Sequence, residues 1–238
     1  MQLDFAAREL TVKLVYYGPA LSGKTTNLQA LHEAADPSIT GRLMTLETRD
    51  DRTLFFDLLP FTFRDKGGLS VRLKVFTVPG QVIHASTRRL VLQGADGIAF
   101  IADSQQAETH ANAESFLDLR DNLRELGRSI RDVPVIIQFN KRDLPGIRPD
   151  SEIEALAKKG REPVYTACAI SGAGVLESFY GLLYLVYGHL DREHQLSQKI
   201  GMDRAQFLKS VVDRLGIQRR PEELLGAAVG GTISGGAQ

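Results

Sequence analysis

The 238-residue sequence lacks a second cysteine, an excess of either charge and any long hydrophobic run. Its single cysteine, Cys168, cannot form a disulfide bond within the chain, and the N-terminus has no positively charged stretch followed by an apolar core. The 29 Lys and Arg residues balance 29 Asp and Glu residues, which argues against nucleic acid as a partner. We therefore expect a cytoplasmic protein.

The most apolar windows are also short. They cover residues 10–17, 97–102 and 133–139, whereas a membrane-spanning helix needs roughly 18 to 20 consecutive apolar residues. No integral membrane segment is expected. With 43% hydrophobic and 24% charged residues, the chain has an ordinary globular composition, and its length allows one sizeable core with an appendage.

Strand-like and helix-like segments alternate along the first 190 residues. Continuous apolar runs typical of buried strands occur at 97–103, 133–139 and 163–167. Helical patterns separate or follow them near 109–127, 150–160 and 174–190. This alternation predicts an α/β fold with a mostly parallel sheet and helices on both faces. Two further alternating runs, 60–66 and 69–78, predict a hairpin around Gly67 and Gly68 that adds one antiparallel edge strand.

The pattern changes after residue 190, where we place the end of the first domain. Residues 191–225 form a predicted helical extension, and residues 226–238 form a Gly-rich tail that we expect to be flexible. Asp203, with Gln206 three residues later, is typical of a helix N-terminus. The helix that follows carries an apolar stripe of Phe207, Leu208, Val211, Val212 and Leu215. This stripe either docks on the first domain or binds a partner.

Residues 18–25 carry the most specific motif in the chain. They read Gly-Pro-Ala-Leu-Ser-Gly-Lys-Thr, which matches the phosphate-binding loop G-x-x-x-x-G-K-[ST], and they lie between a β-rich and a helical segment. Such a loop points backbone N–H groups at a phosphate, and the following helix N-terminus adds partial positive charge. Lys24 is expected to reach the β- and γ-phosphate oxygens, and the Thr25 hydroxyl to ligate Mg²⁺. The predicted contacts in this region are Gly18, Ser22, Gly23, Lys24, Thr25 and Thr26.

A second motif, Asn140-Lys141-Arg142-Asp143, follows the apolar run that ends at Phe139. It therefore lies at the carboxyl edge of a parallel sheet, where nucleotides bind in open α/β folds. The Asp143 carboxylate can accept two hydrogen bonds from the N1–H and N2–H₂ groups of guanine, whereas adenine offers no such pair of donors. Together with the phosphate loop, this motif predicts a guanine-nucleotide site that also includes Asn140 and Lys141.

These two motifs resemble those of the Ras-like small GTPases, and further strings narrow the resemblance. The strings are Tyr16-Tyr-Gly-Pro19, Asp51-Arg-Thr-Leu-Phe-Phe-Asp57, Thr77-Val-Pro-Gly-Gln81 and Ala102-Asp-Ser104. Over about residues 5–190 the chain is similar to the bacterial gliding-motility and polarity GTPases, the MglA-like family. The resemblance implies a P-loop NTPase fold of the Ras-like G-domain type. It does not extend to the C-terminal extension and tail.

The resemblance implies roles for residues in two switch segments. Arg52 would supply an arginine finger from within the chain, and Gln81 would orient the attacking water. Thr53 would ligate Mg²⁺ together with Thr25, and the backbone N–H of Gly80 would donate to the γ-phosphate.

Two positions depart from the Ras-like pattern. Thr77 stands where Ras-like proteins have an aspartate near Mg²⁺, so the metal is expected to lose an anionic neighbour. The fifth motif reads Cys168-Ala169-Ile170 instead of Ser-Ala-Lys, so Lys141 is expected to cover one face of the base and Ile170 the other. The N–H of Ala169 would still bond O6 of guanine. Cys168 is interpreted as a small filler beside the base rather than a reactive thiol.

The family resemblance implies a switch that binds GTP or GDP with Mg²⁺, hydrolyses GTP slowly and controls cell polarity or gliding motility through its partners. The implied partners are a Roadblock-type homodimeric GTPase-activating protein, which repositions Arg52 and Gln81, and effectors at a cell pole. A second hypothesis is a scaffold that binds guanine nucleotide without cycling and works through the C-terminal extension. A third, an ATPase or nucleotide kinase, conflicts with Asp143.

Overall fold

The computed structural model describes residues 1–46, 56–65, 67–79 and 85–229. Most of its strands arise from the apolar and alternating runs of the sequence. The strands are β1 (Gln2–Asp4), β2 (Glu9–Tyr17), β3 (Met44–Leu46), β4 (Phe56–Arg64), β5 (Ser70–Thr77), β6 (Gly97–Asp103), β7 (Val135–Asn140) and β8 (Val164–Thr166). The α-helices are α1 (Lys24–Ala34), α2 (Ala85–Leu92), α3 (Thr109–Glu125), α4 (Asp150–Lys159), α5 (Val175–His194), α6 (Leu196–Ile200), α7 (Arg204–Leu215) and α8 (Pro221–Leu225).

All of these strands join one sheet in the order β3-β4-β5-β2-β6-β7-β8, with β1 paired to β2. The strands β5, β2, β6, β7 and β8 run parallel to one another. Strand β4 runs antiparallel to β5, and Arg64 pairs with Ser70 at the closed end of their hairpin. The predicted α/β class, with a mostly parallel sheet and an antiparallel edge, is confirmed.

Helices cover both faces of the sheet. On one face, α1 and α5 to α8 share a core with the sheet, and on the other face α2, α3 and α4 form a second core. Every residue of β6 is buried, because a central parallel strand is covered from both sides. The parallel strands all point their carboxyl ends toward the same edge, and this edge carries the predicted phosphate and base motifs.

The C-terminal extension docks on the first domain. Helix α5 continues to His194, so the predicted boundary at residue 190 lies within a helix. The predicted start of α7 is confirmed, since the side chain of Asp203 accepts from the Gln206 N–H and the Gln206 side chain accepts from the Asp203 N–H. All five residues of its apolar stripe are buried, and the rings of Tyr187 and Phe207 lie 5.0 Å apart. Of the two alternatives for the stripe, the structure therefore shows docking.

Backbone hydrogen bonds fasten this extension at two more points. The Asp36 N–H, just after α1, donates to the Leu215 carbonyl at 3.1 Å. Further on, the Val229 N–H donates to the Val164 carbonyl at 2.7 Å, so the first part of the Gly-rich tail reaches the edge strand β8. Residues 230–238 lie outside the described residues. Among the described residues, no helix combines the length and apolarity that crossing a membrane demands.

The docking of α7 predicts that its buried face stabilises the whole fold. We expect Phe207→Ala to lower the free energy of unfolding by about 3–5 kcal/mol, because it removes a fully buried ring and leaves a cavity. Lys209→Ala, on the exposed side of the same helix, should change it by less than about 0.5 kcal/mol. Urea denaturation of both variants checks this, and equal small effects would show that α7 contributes little to the core.

Candidate functional site

The predicted site residues that the structure describes gather where the parallel strands end. The loop 18–23 follows β2, the motif that begins at Asn140 ends β7, and Ala169 follows β8. Helix α1 starts at Lys24, so its N-terminus faces the loop with its partial positive charge. Two motifs that are more than 100 residues apart in sequence thus meet at one edge of the sheet.

The two glycines of the loop occupy positions that no other residue fits. Gly18 has a φ of +148°, and a Cβ atom there would lie 2.2 Å from the Ile101 carbonyl oxygen. Gly23 has a φ of +94°, and a Cβ atom there would lie 2.2 Å from the Asn140 side-chain nitrogen. The loop therefore packs directly against β6 and β7, which fixes its path.

The buried Asn140 side chain joins three motifs. Its Nδ2 donates to the Ser22 carbonyl at 2.9 Å, and its Oδ1 accepts from the Ala169 N–H at 2.9 Å. The phosphate loop, the N-K-x-D motif and the fifth motif are thus held in one fixed arrangement. The Ala169 N–H, expected to bond guanine, already has a partner here, so a bond to guanine would have to share or replace this one.

Lys24 lies buried beneath the loop that it follows. Its Nζ donates to the Gly18 carbonyl at 3.0 Å and to the Pro19 carbonyl at 2.6 Å. Burial lowers the pKa of Lys24 to about 8; the nearby Asp57 opposes this shift and Arg88 adds to it. An ammonium group held out of water in this way gains strongly from an anion, which is the property expected of a phosphate-binding lysine.

Asp57 is a site residue that the sequence analysis missed. Its buried carboxylate accepts from the Thr25 hydroxyl at 2.6 Å and from the Thr45 hydroxyl at 2.9 Å. Thr77 holds Asp57 from the neighbouring strand, because its hydroxyl donates to Asp57 Oδ2 at 3.0 Å and accepts from the Asp57 N–H at 2.8 Å. The Thr25 hydroxyl, the predicted Mg²⁺ ligand, therefore has a buried carboxylate beside it.

The hairpin register contains the signal that would have located Asp57. Strand β4 begins at Phe56, four residues before the predicted run at 60–66, and Leu58 pairs with Phe76. Extending the predicted hairpin toward Phe56 brings Asp57 next to Thr77. The carboxylate beside Thr25 thus comes from Asp57 on β4, while Thr77 on the adjacent β5 bonds it.

A cleft of about 230 Å³ adjoins the loop. Its lining is shared by the phosphate loop, the N-K-x-D motif and the fifth motif: Leu21, Gly23, Thr26, Asn140, Lys141, Asp143, Leu144, Ala169 and Ile170. The Lys141 ammonium pairs with the buried Asp103 carboxylate at 2.6 Å. The Cys168 thiol donates to Asp143 at 3.1 Å, so it contacts the predicted base-reading carboxylate directly. Ile170 is 81% exposed and leaves its apolar surface available at the rim.

Four predicted site residues lie outside the described residues: Arg52, Thr53, Gly80 and Gln81. Strand β4 starts just after the first pair, and β5 ends just before the second pair. In sequence, each of the two switch segments therefore adjoins a described strand of the same hairpin.

Comparison with known proteins finds three similar sequences. The chain is 41% identical over 190 residues to the mutual gliding-motility protein MglA of Myxococcus xanthus (strain DK1622), covering 80% of this chain and 97% of that protein. It is 24% identical over 176 residues to ADP-ribosylation factor-like protein 6 of Caenorhabditis briggsae, and 23% identical over 177 residues to the protein of that name from Caenorhabditis elegans. Each of these two alignments covers 72% of this chain and 84% of the relative. No protein-family model matches the chain.

The close packing of the loop predicts a steep cost for a side chain at Gly18. We expect Gly18→Ala to lower the free energy of unfolding by about 2 kcal/mol more than Gly146→Ala. Gly146 also has a positive φ, of +68°, but no atom lies within 4 Å of its added Cβ. The difference between the two losses reports the overlap at Gly18 together with the strain of its φ, which lies farther from the left-handed helical region, and urea denaturation measures both. Equal losses would contradict the described path of the loop.

Proposed function

The chain belongs to the MglA-like family of small Ras-like GTPases, and on this premise we propose that it is a switch that binds GTP or GDP with Mg²⁺ and hydrolyses GTP slowly. The observation that carries the proposal is the pair of hydrogen bonds at Asn140, which donates to the Ser22 carbonyl and accepts from the Ala169 N–H. Through them the phosphate loop and the cleft beside Asp143 form one continuous site. A site of this kind suits a base joined to a row of phosphates.

Guanine is the base that this site recognises in our proposal. Asp143 accepts from the N1–H and N2–H₂ groups of guanine, and the Cys168 thiol that bonds Asp143 at 3.1 Å orients its carboxylate. The stem of Lys141, tethered through its ammonium to Asp103, covers one face of the base, and Ile170 covers the other. The phosphates bind the loop at Gly18, Ser22, Gly23, Lys24, Thr25 and Thr26.

Mg²⁺ fits the donor set at Thr25. The ion prefers oxygen ligands, and the Thr25 hydroxyl that bonds the buried Asp57 carboxylate at 2.6 Å offers one. In our proposal Thr25 and Thr53 ligate the ion, and Asp57 replaces the anion that Thr77 does not supply. When bound, Mg²⁺ neutralises negative charge on the β- and γ-phosphates.

Catalysis and regulation are proposed from the family resemblance. Arg52 stabilises charge on the γ-phosphoryl oxygens, Gln81 orients the attacking water, and the Gly80 N–H senses the γ-phosphate. A Roadblock-type homodimeric protein stimulates hydrolysis by repositioning Arg52 and Gln81. The name of the Myxococcus xanthus relative supports a role in gliding motility, and we extend this to effectors at a cell pole.

The alternative of a non-cycling scaffold that works through the C-terminal extension gains no support from the geometry. Within that extension, the apolar stripe of α7 is the partner surface that the sequence offered, and it is buried against α5 and the sheet. A partner would have to detach α7 from the core before reaching it.

The role of Asp57 generates a test of the metal site. We expect Asp57→Asn to raise the Mg²⁺ concentration needed to slow GDP release by about tenfold or more, because the Thr25 hydroxyl loses its anionic acceptor. Release of fluorescently labelled GDP across a Mg²⁺ titration measures this. Asp96→Asn is the matched control, since Asp96 is 7% exposed against 6% for Asp57 but bonds the backbone of Lys13. The same shift in both variants would remove Asp57 from the metal site.

The proposed function is tested by GTP hydrolysis at saturating Mg²⁺, with and without a Roadblock-type activator. We expect marked stimulation that falls by about 10³-fold or more in Arg52→Ala, with GTP binding retained. Gln81→Leu should also slow hydrolysis. Arg131→Ala, at the opposite end of the sheet near the start of β7, serves as the control and should behave as wild type. Tight GTP binding without turnover under either condition would contradict the switch.

A further inference from the structure

A glutamine lies fully buried in the otherwise apolar middle of strand β7. Gln138 is 0% exposed, and its Nε2 donates to Asn27 Oδ1 at 2.9 Å and to Ser178 Oγ at 2.7 Å. Asn27 in α1 and Ser178 in α5 are buried as well. Because a buried amide is costly unless it is hydrogen-bonded, these three side chains depend on one another.

This network ends on the phosphate loop. Asn27 Nδ2 donates to the Gly23 carbonyl at 2.9 Å, and the same carbonyl accepts from the Asn27 backbone N–H at 2.9 Å. At the other end, Ser178 Oγ donates to the Val175 carbonyl at 3.0 Å. A continuous chain of hydrogen bonds thus runs from the first turn of α5, through β7 and α1, to the last glycine of the loop.

The direction of the network is fixed by its two ends. A carbonyl can only accept, so the Gly23 carbonyl requires the amide nitrogen of Asn27 and leaves the Asn27 oxygen facing Gln138. The Ser178 hydroxyl donates its proton to the Val175 carbonyl, so its oxygen accepts the hydrogen bond from Gln138. Gln138 must therefore present its nitrogen to both neighbours. Its buried Oε1 has no hydrogen-bond partner among the described residues, and a flipped amide would set that oxygen against Asn27 Oδ1, which can also only accept.

We propose that Asn27, Gln138 and Ser178 are positioning residues that hold the Gly23–Lys24 peptide of the phosphate loop for nucleotide binding. In a trans peptide the C=O and N–H groups point in opposite directions. By bonding the Gly23 carbonyl with both its backbone N–H and its Nδ2, Asn27 keeps the Lys24 N–H turned the opposite way, toward the proposed phosphate position. This inference rests on the proposed function, and none of the three residues belongs to the motifs that predicted the site.

The chain contains a matched control for this role. Asn122 in α3 is also buried, and its Nδ2 donates to the carbonyl four residues earlier, that of Asp118, at 2.8 Å, and to the Tyr17 hydroxyl at 3.1 Å. Asn27 and Asn122 thus make the same local bond in two helices. Of the two, Asn27 alone donates to a carbonyl of the phosphate loop.

The experiment compares Asn27→Leu with Asn122→Leu in the full chain. The probe is GDP labelled with N-methylanthraniloyl, and its dissociation rate is measured with Mg²⁺ present. We expect Asn27→Leu to release it about tenfold faster than wild type and Asn122→Leu less than about twofold faster. Both variants should lower the unfolding temperature without nucleotide, because each removes a buried hydrogen bond. If Asn27 had only a structural role, the two variants would release the labelled GDP at similar rates. The same acceleration in both variants would overturn the proposal.

A double variant tests whether Gln138 acts through Asn27. We expect Gln138→Met alone to speed release about threefold to tenfold, and Asn27→Leu combined with Gln138→Met to match Asn27→Leu alone. If the fold-increase in the double variant equals the product of the two single fold-increases, the two side chains act independently and the network is refuted.

The wild-type measurement separates this inference from the proposed function. If wild type does not bind the labelled GDP, the proposed function fails and the inference fails with it. If wild type binds the nucleotide and Asn27→Leu releases it at the wild-type rate, only the inference fails.

Discussion

The site depends on one buried amide, that of Asn140, which bonds the Ser22 carbonyl and the Ala169 N–H. A nucleotide is a rigid base joined through a ribose to mobile phosphates. A protein that binds both the base and the phosphates must therefore hold its contacts to them at a fixed separation. In the proposed site Asn140 sets that separation, because it ends β7, bonds the loop after β2 and bonds the turn after β8. The parallel sheet brings these three strand ends to one edge, and the amide holds the segments that follow them together.

The same edge carries a carboxylate beside Thr25 although Thr77 stands where Ras-like proteins have an aspartate. Asp57 on β4 presents its carboxylate to Thr25, and Thr77 on β5 holds that carboxylate with its hydroxyl. As the proposed metal ligand, Thr25 needs a hydrogen-bond acceptor beside its hydroxyl, and either strand of the hairpin can supply one. The antiparallel register of β4 and β5 makes this exchange possible, since it sets Asp57 beside Thr77.

The C-terminal extension strengthens the fold on the face away from α2, α3 and α4. Helix α7 adds its apolar stripe to the core that already holds α1 and α5. Its end bonds the segment after α1 through Leu215 and Asp36, and the chain then reaches β8 at Val164. The helix that starts at the phosphate loop and the strand that precedes the fifth motif are therefore both tied to the extension, although the extension contributes no side chain to the base cleft.

The sequence by itself determined the features that depend on neighbours along the chain. These are the phosphate loop between β2 and α1, the alternation of apolar strands and helices, the hairpin of β4 and β5, and the N-terminus of α7 at Asp203. Each depends on hydrogen bonds or side-chain spacing within a few residues, so the local pattern suffices. The short elements β1, β3 and α6 offer too little apolar pattern for prediction, whereas the three-residue β8 lies within the apolar run 163–167.

Only the tertiary structure decided which distant groups meet. Thr25 and Asp57 are 32 residues apart, and Asn27 and Gln138 are 111 residues apart. No periodicity in the sequence links such pairs, because their contacts follow from strand order, register and the packing of α1 against β7. The apolar stripe of α7 is a similar case. Its spacing predicts that one face must be covered, and the core formed by α5 and the sheet decides what covers it.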